Sequence, residues 1–552
     1  MSKVFNRVGR IRPRRNPFNL SYRKNITCNM GQLIPVMCEE VVPGDFFKIG
    51  NQLTVRFQPL VAPIMHEISA TVHYFFVPTR LIWDQWEDFI VNGEQPVPYT
   101  LPRFSRPSNP QAKGSLWDYF GMPISPPRSP DPAPTAGATP IDFPWRCYNF
   151  VFNEFYRDEE IDAEVPLLNN NVLYRRWSKD YFTSARIRRQ RGQTPALPVN
   201  VDLSYKSISE MIGANPYSFT PVRFHDQASN QYTGGVVTKS NIGIGADLQL
   251  RTDENSIPAG SPLAINADII GEALANGALY PGLDYGLKAS AATFNVSDLR
   301  LAFQTQKWLE RNSRAGVRYT SFLQAHFGVS PSDARLDRPE YIGGTKTPVI
   351  ISEVLQTSQT TEGTDGSPLA EFAGHGLAAD SHFAGSYNVQ EYGYIIGIMS
   401  IMPKPSYQDG FNRQWLRRVP TDFYFPEFAH LSEQGIYNAE LYHSRSDIDY
   451  NVWGFVGQYD EMRVKHDIVC GDMRRNSEED IQLSYWNLTR KFYELPLLNS
   501  SFISTQGNIR EDIFAVQSQD VPLDHLIVNC QNIIQAIRPL PLIAEPGLID
   551  HF

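Results

Sequence analysis

The sequence predicts a mainly β protein: an antiparallel β-sandwich with long loop insertions and a few short helices. Three observations carry this. Strand-like segments stand early and late in the chain with irregular stretches between them, so distant segments must complete one another's sheets. Aromatic residues are abundant, at 32 Phe, 26 Tyr and 9 Trp, and favour strands. The 41 Pro and 37 Gly suit stiff loops joining short strands. With 42% hydrophobic and 20% charged residues, 552 residues suffice for more than one core, or for one core with large insertions.

Residues 1–40 read as a basic arm, because Pro13 and Pro17 discourage helix and like charges repel along it. A β-rich first half of the core follows over 41–198. In "QLTVRFQPLVAPIMHEISATVHYFFVP", Ile68, Ala70, Val72, Tyr74 and Phe76 share one face. Ser69, Thr71, His73, Phe75 and Val77 form the other, which turns apolar toward its end and predicts burial on both sides there. Thr79 is then expected to cap a short helix whose stripe is Ile82, Trp86, Phe89 and Ile90. Residues 96–144 form a proline-rich loop, long enough to lie along a neighbour or to be functional. From 199 to 296 the composition shifts to Gly, Ala, Ser and Asn, which reads as an exposed surface insertion. Residues 297–552 hold helices and the rest of the core. Ser297 and Asp298 suit a helix start, with Leu299, Ala302, Phe303 and Gln306 on one face, and Tyr319, Phe322, Leu323 and His326 form a second stripe. "PVIISEVLQT", "YGYIIGIMSIMP", "DFYFPEF" and "VWGFVGQY" read as strands. No repeat and no heptad pattern stands out.

Enzyme motifs are scarce, and no catalytic residue, cofactor or metal is expected. "NIGIGADL" begins like G-x-G-x-x-G but ends on Leu248, so it reads as a loop. "HEISA" lacks the second histidine of a zinc helix. The 11 histidines are dispersed, and His326 reads as a hydrogen-bonded core or interface histidine. "RDEEIDAE" (157–164) lacks the glycine and spacing of a calcium loop and reads as a solvated face. Five scattered cysteines without CxxC read as buried free thiols in a reducing compartment. No apolar run approaches the ~18 residues of a membrane helix, and Arg and Pro interrupt any secretory leader, so the chain is expected to act where it is made.

The charge is sorted. The chain is −9, yet its first 38 residues hold eight Lys or Arg and no acid; the rest carries 42 basic and 59 acidic residues, a balance of −17. Lys3, Arg7, Arg10, Arg12, Arg14, Arg15, Arg23 and Lys24 are therefore candidates for neutralising phosphates, with Phe5, Phe18 and Tyr22 available to stack on unpaired bases. A second cluster, Arg175, Arg176, Lys179, Arg186, Arg188, Arg189 and Arg191, surrounds Trp177, Tyr181 and Phe182. Arginine mixed with aromatics suits single-stranded nucleic acid and protein interfaces alike. Arg186, Arg188, Arg189 and Arg191 are accordingly nucleic-acid candidates, and Trp177, Tyr181 and Phe182 subunit-interface candidates.

Several long segments together resemble one family. They are "TCNMGQLIPVMCEEVVPGDFFKI" (27–49), "MHEISATVHYFFVPTRLIWDQWEDFI" (65–90), "WSKDYFTSAR" (177–186), "LRLAFQTQKWLERNSRAGVRY" (299–319), "HFGV" with "DARLDRPEYIGG" (326–344), and "DFYFPEFAHLSEQ" (422–434). The sequence resembles the major capsid proteins of the Microviridae, small single-stranded DNA phages, nearest their gokushovirus branch. That resemblance implies a viral jelly roll and a homo-oligomer, pentamers then a T=1 shell, around circular single-stranded DNA. It also implies an internal scaffolding protein, a small basic DNA-binding protein and a pilot protein as partners. The insertion would form threefold protrusions that meet a host surface receptor, without membrane insertion, and the virion would assemble in the host cytoplasm. The alternative from the sequence is a β-sandwich carbohydrate-binding protein or glycan-active enzyme. It needs opposed carboxylates, and Glu159 and Glu160 are merely adjacent. A free nucleic-acid-binding protein is a third reading, which the acidic body disfavours.

Overall fold

The computed structural model describes residues 14–91, 100–104, 113–124, 140–195, 203–205, 224–226, 231–233, 287–289, 296–355, 372–475, 482–515 and 523–543. Ten strands build two sheets: β1 (Asn16–Asn19), β2 (Tyr22–Cys28), β3 (Ile34–Val41), β4 (Phe46–Phe57), β5 (Ile68–Pro78), β6 (Glu340–Pro348), β7 (Ile350–Leu355), β8 (Phe372–Asn388), β9 (Gly393–Pro403) and β10 (Leu526–Arg538). In the six-stranded sheet β1 and β2 both pair with β10, which is followed by β4, β8 and β7; the four-stranded sheet runs β6, β5, β9, β3. Setting aside the short strands β1 and β7 leaves eight. In chain order the first pairs with the eighth, the second with the seventh, the third with the sixth and the fourth with the fifth, all antiparallel. A long hairpin rolled onto itself gives this order, which is the jelly roll.

β5 shows why the pattern folds this way. Ile68, Ala70, Val72, Tyr74 and Phe76 enter the core between the sheets, where Phe47, Ile49, Leu53 and Val55 of β4 meet them. Phe75 and Val77 face the other way into a second core, with Ile396 and Ile398 of β9 beside them and Trp145, Tyr148 and Phe152 above. The strand is buried on both sides toward its end, as its residues predict. Described pieces of the proline-rich loop join this second core: Phe104 and Trp117 are buried, and the Phe104 ring lies 4.5 Å from that of Trp145.

The sheets come closest at one corner. β6 carries a bulge between Tyr341 and Gly343, and β8 one between Phe383 and Gly385. A methyl on Gly343 would overlap the carbonyl oxygen of Ala384, and one on Gly385 would lie 2.8 Å from that of Ile342.

His73 occupies the partly open start of the second face of β5. Its Nδ1 is 2.8 Å from the Tyr156 hydroxyl, and its ring stacks on Tyr156 at 6.0 Å. Burial, helped by the Arg175 charge, pulls its pKa down to about 4 from 6.5. The folded state thus holds His73 neutral where the unfolded chain takes up a proton, so stability falls as pH drops from 6.5 to about 4. His73→Asn is expected to flatten this part of the profile. Urea midpoints across that window check it, and an unchanged slope counts against it.

Several local expectations are corrected. The expected arm is strand from Asn16 onward, because β10 offers a free edge that the alternating residues of β1 and β2 fill. The single helix after Thr79 is two, Thr79–Ile82 and Trp86–Val91; Pro78 holds the N-cap position, and Trp83 turns out of helical geometry to enter the second core. The helix Val296–Ala315 starts before Ser297, and Phe303 on its expected stripe is exposed. "DFYFPEF" is not a strand: Pro420 and Pro426 open short 3₁₀ turns there. Cys28, Cys147 and Cys530 are buried, but Cys470 is exposed. His326, by contrast, is hydrogen-bonded as expected: it is half-buried, its Nε2 2.6 Å from Asn312 Oδ1.

The chain divides into two compact units, residues 1–193 with 308–552, and residues 194–307. In the second unit Leu203–Tyr205 pairs with Leu287–Ala289, and Phe224–Asp226 with Gln231–Thr233. Most of the expected insertion 199–296 lies outside the described residues. Among the described residues no helix is long and apolar enough to cross a membrane.

Candidate assembly and nucleic-acid surfaces

Lys3, Arg7, Arg10 and Arg12 lie outside the described residues. Arg14 and Arg15 are exposed at the edge of the six-stranded sheet, immediately before β1, and Arg23 is exposed on β2. Lys24 is corrected as a nucleic-acid candidate. Strand alternation turns it to the inner side, where Nζ donates to the Pro35 carbonyl at 2.7 Å and to that of Tyr119. Burial pulls its pKa down to about 8, and both bonds tie it to its own fold.

The second basic cluster is mostly consumed inside the subunit. Arg175 reaches the Oγ atoms of Thr71 and Ser400 on β5 and β9, at 2.5 and 2.7 Å. Arg176 pairs with Asp162 at 2.7 Å, Lys179 with Asp158 at 2.8 Å, and Arg318 with Glu159 at 2.9 Å. The acidic run read as a solvated face is therefore the counter-charge of the basic cluster, and Glu159 is held in an ion pair. Arg186, expected on nucleic acid, instead donates to the fully buried Glu433 at 2.6 Å and to the Arg314 carbonyl at 2.8 Å. Arg188 and Arg189 are exposed and Arg191 half-exposed.

Trp177, Tyr181 and Phe182 are corrected as interface candidates, being buried within their own chain. Phe182 packs at 4.8 Å on Tyr407, and the Tyr181 hydroxyl donates to Glu440 Oε2 at 2.9 Å. Arg490 lies buried beside them, its guanidinium 5.0 Å from the Trp177 ring and 4.3 Å from that of Phe502, donating to the Phe502 carbonyl at 2.7 Å. Arginine wrapped in aromatics is core material here.

The surface with the chemistry of a protein interface lies elsewhere, on residues 411–431. Trp415 is 72% exposed, and Phe423, Tyr424 and Phe425 stand out beside it. These side chains are propped rather than loose. Asp422 Oδ2 accepts from the backbone N–H groups of Arg418 and Val419 at 2.7 and 3.0 Å. The Arg417 guanidinium sits 5.0 Å over the Phe423 ring. Arg413, near the head of the segment, is fastened to the buried Glu440 at 2.9 Å. Exposed aromatics on a fixed frame are what interface anchors require. The sequence signal was present in the density of Phe, Tyr and Pro over 420–428, but it also fits an edge strand. Among the described residues no group of three or more His, Cys, Asp or Glu is placed to hold a metal ion.

Residues 7–548 match the model of the family described as capsid protein (F protein). The chain is 30% identical to the capsid protein VP1 of Chlamydia phage 1, over 99% of this chain and 98% of that protein. It is 28% identical to capsid protein VP1 of Bdellovibrio phage phiMH2K, over 99% and 98% of the two chains. Against capsid protein VP1 of Spiroplasma virus 4 the identity is 26%, over 97% and 95%. A jelly roll with propped exposed aromatics suits such relatives, and with the family match spanning nearly its whole length this chain belongs to the capsid protein (F protein) family of the Microviridae phages.

Proposed function

We propose that this chain assembles through pentamers into a T=1 icosahedral shell around circular single-stranded DNA. Its basic N-terminal residues face the cavity, and the 199–296 insertion faces outward as a threefold protrusion that meets a host receptor. The observation that carries this reading is the sorted charge: eight cations and no acid in the first 38 residues, against an acidic remainder. A shell has an inside and an outside, and polyanionic DNA needs cations on one of them. The propped aromatics of 411–431 supply subunit contacts, in keeping with interfaces rich in Trp, Tyr and Phe. An internal scaffolding protein, a small basic DNA-binding protein and a pilot protein are the proposed assembly partners. The role is structural rather than enzymatic.

A particle reconstruction tests the reading: Arg14 belongs on the cavity side and residue 240 on the outer side, and the reverse refutes it. A deletion tests the leader. Removing residues 1–13 takes away Lys3, Arg7, Arg10 and Arg12 and leaves β1 whole. A deletion through Lys24 would strip β1 and part of β2 from the sheet. The shorter deletion is expected to leave closed particles with less DNA each. Four lost phosphate contacts lower the salt slope of single-strand binding by roughly 3. Unchanged DNA content removes the leader from the contact surface.

A further inference from the structure

We propose that the face of the six-stranded sheet turned away from the core is itself a binding surface for single-stranded DNA. This rests on the reading above and assigns it a site. Alternation places every second residue of each strand on that face, and the registers line those residues up in rows. One row crosses the sheet as Arg23, Gln531, Gln52 and Ser381. The next runs Asn25, Asn529 and Thr54. Exposed Arg56 and Lys48 stand on the same face of β4, on either side of these rows. Phe383 of β8 is 68% exposed and shares their side of the sheet.

Charge selects the occupant. β1, β2, β4 and β10 contain no Asp or Glu, in a chain with 59 acids against 50 bases. Asp380 of β8 pairs opposite the buried Leu53, so it belongs to the other face, and it holds His382 at 2.7 Å. Asp524 lies just before β10 at the margin and accepts from Thr27 Oγ1 at 2.5 Å. The face therefore offers three cations and rows of carboxamides and hydroxyls, with exposed Ile527, Ile537 and Leu377 standing between and beside them. Its amides are already laddered: Arg23 Nε donates to Gln531 Oε1 at 3.3 Å, and Asn529 Nδ2 to Asn25 Oδ1.

Lysine and arginine neutralise phosphates. Asn, Gln, Ser and Thr bond phosphate and sugar oxygens, and carboxamides also pair with exposed base edges. An exposed phenyl ring gives an unpaired base something to stack on. A second protein is a poorer fit, since interface cores are depleted in Lys and enriched in several aromatics. Exposed Arg14 and Arg15 immediately precede the edge strand β1 and add two more cations at the margin of the sheet.

The test uses the full-length protein and an oligodeoxythymidine probe, followed by fluorescence anisotropy across a sodium chloride series. The variant R23Q/K48Q/R56Q changes only exposed side chains. The slope of log affinity against log salt is expected to fall by about 2, at roughly 0.7 per lost phosphate contact. Phe383→Ala is expected to weaken binding about tenfold at fixed salt, the effect of losing one stacked base. A triple variant with the wild-type slope overturns the proposal while leaving the capsid reading intact. So does a triple variant that binds the probe normally but no longer closes into shells, which makes the face a protein contact. Wild-type protein with no salt-dependent affinity, in particles without DNA, overturns both.

Discussion

Gly343→Ala is expected to leave little or no assembly-competent subunit. The added methyl meets the carbonyl oxygen of Ala384, a backbone atom of the opposing sheet that has no rotamer to escape into. Overpacking a core side chain typically costs about 1–3 kcal/mol, because neighbours can shift. Here both backbones are fixed by ladders on either side of paired bulges, so the loss should reach or exceed the top of that range. A domain stable by only about 5–15 kcal/mol has little margin for it. The demand is for space, which no other residue satisfies. Soluble subunit yield and urea midpoints measure the effect, and wild-type stability in the variant would mean that the two sheets can part at this corner.

Glu440→Ala is expected to cost roughly 3–5 kcal/mol, the range for removing one partner of a buried ion pair. Glu440 is 3% exposed. Its Oε1 accepts from Arg413 and from the Tyr437 backbone N–H, both at 2.9 Å, and its Oε2 from the Tyr181 hydroxyl. Burial alone pushes the Glu440 carboxyl up, and the Arg413 charge opposes that push. Truncation strands the Tyr437 amide and the Tyr181 phenol, and leaves the half-buried Arg413 guanidinium only the Gly435 carbonyl at 2.7 Å and Glu461 at 3.9 Å. It also loosens Arg413, near the head of the exposed aromatic segment, so shell yield should fall even where the subunit still folds. Glu440→Gln keeps an acceptor and should lose less. Urea midpoints with particle counts check both variants, and a loss within about 0.5 kcal/mol for Glu440→Ala would place it with ordinary surface changes.

What the sequence revealed follows from the range of each signal. β5 was legible because its apolar residues alternate, and alternation is local. "YGYIIGIMSIMP" announced β9 in the same way. "LIVNCQNIIQAIR" went unread as β10: Asn529, Gln531, Ile533 and Gln535 alternate with apolar residues, but only the pairing with β2 and β4 shows that those amides form part of a surface. Arg186, Trp177 and Phe182 mark the limit. Arginine among aromatics has the same composition in a core, at a subunit contact and on DNA, and only the position of Glu433, some 247 residues away, separates these. The counter-charges of "RDEEIDAE" were hidden likewise, since a carboxylate looks solvated until its partner is folded against it.

The seat of β10 between β2 and β4 bears on how the protein is made. Asn25 and Asn529 are hydrogen-bonded neighbours 504 positions apart, so a nascent chain leaves the ribosome with a gap in the middle of its larger sheet. That gap closes only when Leu526–Arg538 has been made. Contacts of such long range fold slowly, and a prematurely terminated product has no strand to fill the slot.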